Sequence, residues 1–297
     1  MEIYYGISNN NINVTKICYS ILNNDNIISI PYGDGNRAKY FTDPLLGILK
    51  KIFIKHNNNL TEYDDLCSIQ INTQDNTIVV INNNVIDTKL RNIHSKLNIH
   101  YGTFNDEVPE QKMAVRYLKG NEKVLEIGGN IGRNTLVIAS ILENDKNLVS
   151  LESDNNISRQ LIENRNLNSF NFHVENSALS KRKLIQRSWE TIPSDILIDD
   201  SYKWVNTITL DELKNKYNII FDTLVLDCEG AFYYILMDMP EILENITLII
   251  MENDYTNINH KIFIDQVLKE NNFYRDYMEG NGWGPCIDYF FEVWKKE

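Results

Sequence analysis

The sequence is short of cysteine, of positive charge and of long apolar runs, and each shortage excludes a class of protein. Its four cysteines, Cys18, Cys67, Cys228 and Cys286, stand far apart and form no Cys-x-x-Cys pair. Neither a zinc site nor a disulfide framework is therefore indicated, and scattered thiols fit a reducing compartment. No stretch approaches the roughly 18 apolar residues of a membrane span. The start, Met1-Glu-Ile-Tyr-Tyr-Gly6, lacks the basic end and apolar centre of a signal peptide. A soluble, cytoplasmic protein without a membrane span is expected. Lys and Arg number 29 against 41 Asp and Glu, a net charge of −12 that argues against binding a nucleic-acid backbone. The basic run Lys181-Arg-Lys183 with Arg187 reads as a solvated loop, and the scattered histidines have no partner spacing.

What is present divides into two regimes. With 297 residues and 43% hydrophobic content, the chain can hold one large or two modest domains. Residues 1–97 show short β-type runs broken by Asn, Asp and Gly. Cys67–Ile71, Thr77–Ile81 and Val85–Ile86 read as an antiparallel meander, and Val14–Leu22 as one short helix. This module is the expected place for any homo-oligomer contact. Residues 98–297 alternate strands with helix-length connections, which implies a parallel sheet with right-handed crossovers. A closing pair of runs, parted by Gly280-Asn-Gly-Trp-Gly284, reads as an antiparallel ending. The expected fold class is α/β, a Rossmann-like, mostly parallel sheet with an antiparallel C-terminal strand, preceded by a small β-rich domain.

The most informative stretch is Val124-Leu-Glu-Ile-Gly-Gly-Asn-Ile-Gly132, followed by Leu148-Val-Ser-Leu-Glu152. A strand runs into a glycine turn and a helix, and the next strand ends on a carboxylate 20 residues after Gly132. Such a turn lets backbone N–H groups approach a ligand, and the carboxylate can accept hydrogen bonds from both hydroxyls of a ribose. A dinucleotide fingerprint would need glycine where Asn130 and Arg133 stand, and no Gly-Lys-Ser/Thr makes a P-loop. Glu126 at the close of the first strand would repel a pyrophosphate, yet suits the ammonium and sulfonium charges of S-adenosyl-L-methionine. The unit looks like motif I of the class I methyltransferases.

Further blocks follow in order: Glu175-Asn-Ser-Ala-Leu-Ser180, Thr207-Ile-Thr-Leu-Asp-Glu-Leu213, Phe221-Asp-Thr-Leu-Val-Leu-Asp-Cys-Glu-Gly-Ala231 and Ile246-Thr-Leu-Ile-Ile-Met-Glu252. In order and spacing, residues 105–295 resemble the FkbM family of methyltransferases. Asp-Cys-Glu-Gly-Ala is the most specific block, and Phe232 departs from the Glu usual in that family. In the first module, Asp34-Gly-Asn-Arg37 and Asp43-Pro-Leu-Leu-Gly47 resemble a module of giant DNA virus proteins, which would place the chain in a host cytoplasm.

By resemblance, Gly128, Gly129, Asn130 and Gly132 line the methionine and ribose part of the cofactor. Glu152 takes the ribose hydroxyls, Ser153 or Asp154 lies near the adenine, and Asn176, Ser177 and Ala178 close the adenine side. Asp227 faces the methyl donor, and Asp227, Glu229 and Glu252 are the candidate bases. Trp283 and Tyr255 are the candidate acceptor contacts, whereas Tyr233 and Tyr234 read as core. No metal is expected, the alternative being Mg²⁺ at Asp227, Glu252 and Asp254. The resulting expectation is an O-methyltransferase that acts on a sugar hydroxyl of a glycan or nucleotide-sugar and releases S-adenosyl-L-homocysteine. The alternatives are a lipid, small-metabolite or protein acceptor, a non-catalytic glycan-binding protein that keeps the cofactor fold, and an oxidoreductase.

Overall fold

The computed structural model describes residues 1–57, 59–188 and 190–296. The chain divides into two compact units, Met1–Thr88 and Lys89–Glu297. The division falls inside the helix Asn83–His94, nine residues before the end of the expected module.

Among the described residues, the first unit holds two four-stranded antiparallel sheets. One runs Asn10–Asn13, Glu2–Ile7, Lys51–His56, Asn59–Tyr63; the other Asn23–Asn24, Ile27–Ile30, Cys67–Asn72, Ile78–Asn82. Their alternating residues, among them Ile3, Tyr5, Ile28, Ile30, Ile69 and Ile71, form one core. The buried Lys50 is held by Asp34 at 2.9 Å and Asp43 at 2.8 Å. The expected third meander strand at Val85–Ile86 is instead part of the helix Asn83–His94. Ile86 and Leu90, one turn apart, are both buried, and that helical period overrides the β-branched pair.

The second unit carries the sheet that positions the site. Its strands are β1 (Val124–Ile127), β2 (Leu148–Leu151), β3 (His173–Glu175), β4 (Thr223–Leu226), β5 (Leu248–Glu252), β6 (Phe273–Glu279) and β7 (Phe291–Lys296). Their spatial order is β3-β2-β1-β4-β5-β7-β6. The first five are parallel, and β7 enters antiparallel between β5 and β6. All four residues of β1, β2 and β4 are buried, the continuous burial of a parallel sheet covered on both faces. The helices are α1 (Val108–Tyr117), α2 (Arg133–Ile141), α3 (Asn155–Leu167), α4 (Leu210–Tyr217), α5 (Ala231–Asp238) and α6 (Ile258–Glu270). Local chemistry starts three of them: the Asp154 carboxylate accepts from Asn156 N and Ile157 N, Thr209 forms a capping box with Glu212, and the Asn257 side chain accepts from Asn259 N. This is the α/β, Rossmann-like sheet with an antiparallel C-terminal strand that the sequence implies.

The antiparallel ending is locked by a buried charge network. Glu292 on β7 accepts from Lys261 Nζ at 2.7 Å, Arg275 Nη1 at 2.8 Å and Trp294 Nε1 at 2.9 Å. Sequence reading missed the short strands between β3 and α4. There Glu190–Pro193, Leu184–Arg187 and Lys203–Val205 form an antiparallel sheet, and Ala178–Leu179 pairs in parallel with Thr207–Ile208. All four cysteines are free thiols. Among the described residues, no helix is long and apolar enough to cross a membrane.

Candidate active site

The glycine turn is shaped first by packing. Gly128 has φ +92°, and a Cβ there would lie 1.6 Å from the carbonyl oxygen of Asp227. Only glycine lets this turn pass the end of β4 so closely. A Cβ on Gly129 would meet Ser150 Oγ at 2.1 Å, and one on Gly132 would meet Leu161 at 2.4 Å. Gly128 and Asn130 line the cavity beyond the strand ends, whereas Gly129 and Gly132 are set against β2 and α3. The N–H groups of Gly128 and Gly129 both donate to the carbonyl oxygen of Leu151, at 3.0 and 2.9 Å. Asn164, fully buried on α3, donates from Nδ2 to the carbonyl oxygen of Ile131 at 2.8 Å. The turn is thereby fixed from two sides.

Glu126 lies outside the cavity lining, contrary to the expected contact with the cofactor. It is 2% exposed, and its Oε2 accepts from Thr135 Oγ1 and Ser150 Oγ, both at 2.6 Å. Burial pushes its carboxyl up to about 7, against the pull of the two hydroxyls. The acid thus braces the turn from beneath.

Glu152 does line the cavity. Its Oε2 accepts from Asn130 N at 3.0 Å and its Oε1 from Asp154 N at 2.7 Å. Burial raises its pKa despite these donors. Each oxygen has one protein donor, which leaves acceptor capacity for a pair of neighbouring hydroxyls. Ser153, Ser177 and Ala178 join it in the lining. Asn176 is not among those residues: its Nδ2 donates to the carbonyl oxygens of Glu152 and Ser153, at 2.9 and 3.3 Å, and ties the ends of β2 and β3 together.

The far wall of this cavity comes from residues that sequence reading left aside. Gln186, Thr191 and Pro193 reach it from the inserted antiparallel sheet, and Tyr234 and Asp238 from α5. Arg182, expected in a solvated loop, also lines the cavity and is clamped on Asp238 by two hydrogen bonds of 2.5 and 2.7 Å. Tyr234, expected in the core, lies with its ring 5.3 Å from that guanidinium. These contacts join segments more than 40 residues apart, and no local pattern announces them.

The opposite end is acidic. Asp227 follows β4 and lines both this cavity and a second one shared with Glu107, Pro109, Glu110, Glu229 and Glu252. Burial first, and then the charge of Asp254, push the Asp227 carboxyl well above its ordinary range. Glu252 closes β5, and burial, contact with Glu110 and the charge of Asp227 raise it likewise. Asp254 is 5% exposed; burial lifts it to about 7 although Gly230 N donates to its Oδ1 at 2.8 Å. Glu107 is turned toward Arg133, whose Nη1 donates to it at 2.5 Å. The expected set Asp227, Glu252 and Asp254 is not the one brought together. Glu110, from the first turn of α1, supplies the third oxygen, and the donor atoms of Glu110, Asp227 and Glu252 lie within 4.8 Å of one another.

The two expected acceptor contacts fare differently from these acids. Tyr255 is 2% exposed and packs beneath Gly230, so its ring cannot meet an incoming acceptor, contrary to the expected contact. Trp283 is 45% exposed beside Phe290, with ring centroids 6.0 Å apart, and is not among the residues lining either cavity.

No family model and no curated protein matches the sequence. Among solved structures, the chain is similar to the ribosomal protein L11 methylase from Lactobacillus delbrueckii subsp. bulgaricus, at 11% identity and a TM-score of 0.42, over 67% of this chain and 82% of that one. It is also similar to the O-methyltransferase from Bacillus cereus in complex with SAH, at 15% identity and a TM-score of 0.41, over 71% of this chain and 89% of that one. With likeness this remote, the fold assignment rests on the strand order itself.

Proposed function

We propose that the chain is an S-adenosyl-L-methionine-dependent O-methyltransferase of the FkbM type, and that its acceptor is a sugar hydroxyl of a glycan or nucleotide-sugar. The reading is carried by one arrangement: a single cavity beyond the sheet's carboxyl ends has the Gly128 turn and Glu152 on one side and Asp227 on the other. A ligand in an open α/β sheet lies at that edge. Glu152 would bind the ribose hydroxyls, the wall of Ser177, Ala178 and Gln186 would border the adenine, and the sulfonium would face Asp227. A positive sulfonium is favoured by carboxylates close by, which a dinucleotide pyrophosphate is not.

Methyl transfer is an in-line displacement, so alignment and exclusion of water supply most of the acceleration. The electron pair of the acceptor oxygen forms the new O–C bond while the S–C pair passes to sulfur, leaving a neutral thioether. The hydroxyl proton must also leave. Asp227, Glu229 and Glu252 are the groups at hand to take it, directly or through water. A sugar fits the open, polar second cavity better than an apolar acceptor does, because its lining is mostly carboxylate.

Calorimetry with S-adenosyl-L-homocysteine against NAD tests the cofactor assignment, with saturable binding of the first expected. Transfer of labelled methyl groups to a panel of mono- and disaccharides tests the acceptor. Preference for NAD would overturn the whole reading, and labelling of lipid or protein but no sugar would overturn the acceptor alone.

A further inference from the structure

The acidic end of the site has a property that a general-base role leaves unexplained. Three carboxylates from three separate elements converge: Glu110 from the first turn of α1, Asp227 just after β4, and Glu252 at the last position of β5. One oxygen of each lies within 4.8 Å of the others. A hard divalent cation bonded at about 2.1–2.4 Å sets its ligand oxygens about 3–4.8 Å apart, so this span suits a single ion. Glu110 is 6% exposed, and its Oε2 has no hydrogen-bond donor. A buried carboxylate oxygen left without a partner is strongly unfavourable unless a cation or a proton meets it. Nearby, Asp254 also has an oxygen without a donor, Oδ2, and is 5% exposed. The groups that weigh most on Asp227 electrostatically are Asp254, Glu107, Glu110 and Glu229, all of them acids.

We propose that Glu110, Asp227 and Glu252 bind one divalent cation of the Mg²⁺ or Mn²⁺ class at the acceptor side of the cavity. Three carboxylate oxygens leave three positions of an octahedron open, and the cavity they line is open to solvent-sized molecules. Water or two neighbouring hydroxyls of an acceptor would fill those positions. On the methyl-transfer reading above, a hydroxyl held there would give up its proton to solvent more readily before attacking the sulfonium methyl. That last step rests on the proposed function; binding of the ion does not.

The experiment uses the full chain, stripped with a chelator, and Mn²⁺ as the probe, with free ion followed by electron paramagnetic resonance and no cofactor added. One Mn²⁺ per chain is expected, saturating below about 1 mM and displaced by Mg²⁺. Glu110→Gln should weaken binding at least about tenfold, as should Glu252→Gln if the first variant does not fold. Glu62→Gln, on an exposed residue of the first unit, should bind as the unchanged chain does. Absence of saturable Mn²⁺ binding, or unchanged affinity in both Glu110→Gln and Glu252→Gln, would overturn the proposal and leave proton sharing as the account of the cluster. Because the readout needs no methyl transfer, failure of the enzymatic reading would show separately in the calorimetry.

Discussion

The backbone N–H of Asn130 donates to Oε2 of Glu152 at 3.0 Å, so the glycine turn and the strand-end acid are one hydrogen-bonded unit. Asn130 sits at φ +46°, a left-handed backbone that asparagine tolerates better than most residues. The acid therefore has two tasks, to hold the turn and to face the cavity. Glu152→Ala should weaken binding of S-adenosyl-L-homocysteine by about 1–3 kcal/mol through loss of hydrogen bonds to the ribose. Glu152→Gln, which keeps one acceptor oxygen, should lose less. Calorimetry on folded variants checks this order, and unchanged affinity in Glu152→Ala would remove the residue from the cofactor site.

Two glycines give an internal contrast. A Cβ on Gly128 would collide with the backbone of Asp227, at a φ of +92° that disfavours any side chain, whereas a Cβ on Gly35 meets nothing within 4 Å. Gly128→Ala should destabilise the second unit by about 3 kcal/mol or more and abolish cofactor binding. Gly35→Ala, inside the helix Asp34–Phe41, should be neutral or stabilising by about 0.5–1 kcal/mol. Urea unfolding of both variants compares them directly. Equal midpoints would mean that the turn does not pass β4 as closely as described.

Glu126 predicts a pH dependence of stability. Its folded carboxyl keeps its proton up to about 7, while an unfolded glutamate releases it near the ordinary value of 4.5. Between those values the folded state binds the extra proton, so this group's contribution falls as pH rises from about 4.5 to 7 and is level above. Glu126→Gln imitates the protonated form and still accepts from Ser150 and Thr135. It should match the unchanged chain near pH 4.5 and exceed it at pH 8 by up to about 3 kcal/mol. Urea unfolding at the two pH values gives the answer, and a difference independent of pH would contradict the raised carboxyl.

What could be read from sequence was what local pattern encodes. Gly128 and Glu152 each sit at a fixed offset from an apolar strand, and the strand ends of an α/β sheet share one edge, so their meeting follows from topology. Glu110 was invisible because α1 reaches β5 only through tertiary packing, across more than 140 residues. Gln186, Tyr234 and Arg182 belong to the cavity because an unpredicted antiparallel sheet and α5 close over it. Tyr255 was misread for the converse reason: residue type signals a stacking ring, but only packing decides whether the ring is exposed. Glu126 was assigned to the ligand by its position, yet Thr135 and Ser150 already occupy its oxygen.

Asp227 separates chemistry from binding. Its backbone N–H donates to Ile127 O at 3.1 Å and its carbonyl oxygen faces Gly128, so the main chain belongs to the turn while the side chain is free to act in the cavity. Asp227→Asn preserves shape and the backbone contacts but removes an ionisable carboxyl from a crowded group of acids. If the carboxylate acts on the acceptor, turnover should fall by about a hundredfold or more while affinity for S-adenosyl-L-homocysteine changes by less than about tenfold. Removing the cost of burying this carboxyl, and then its repulsion with Asp254, Glu107 and Glu110, should at the same time raise thermal stability. A variant more stable than the unchanged chain and nearly inactive is the expected outcome, measured by thermal unfolding beside single-turnover kinetics. Unchanged kinetics in that more stable protein would assign Asp227 to the framework of the turn alone.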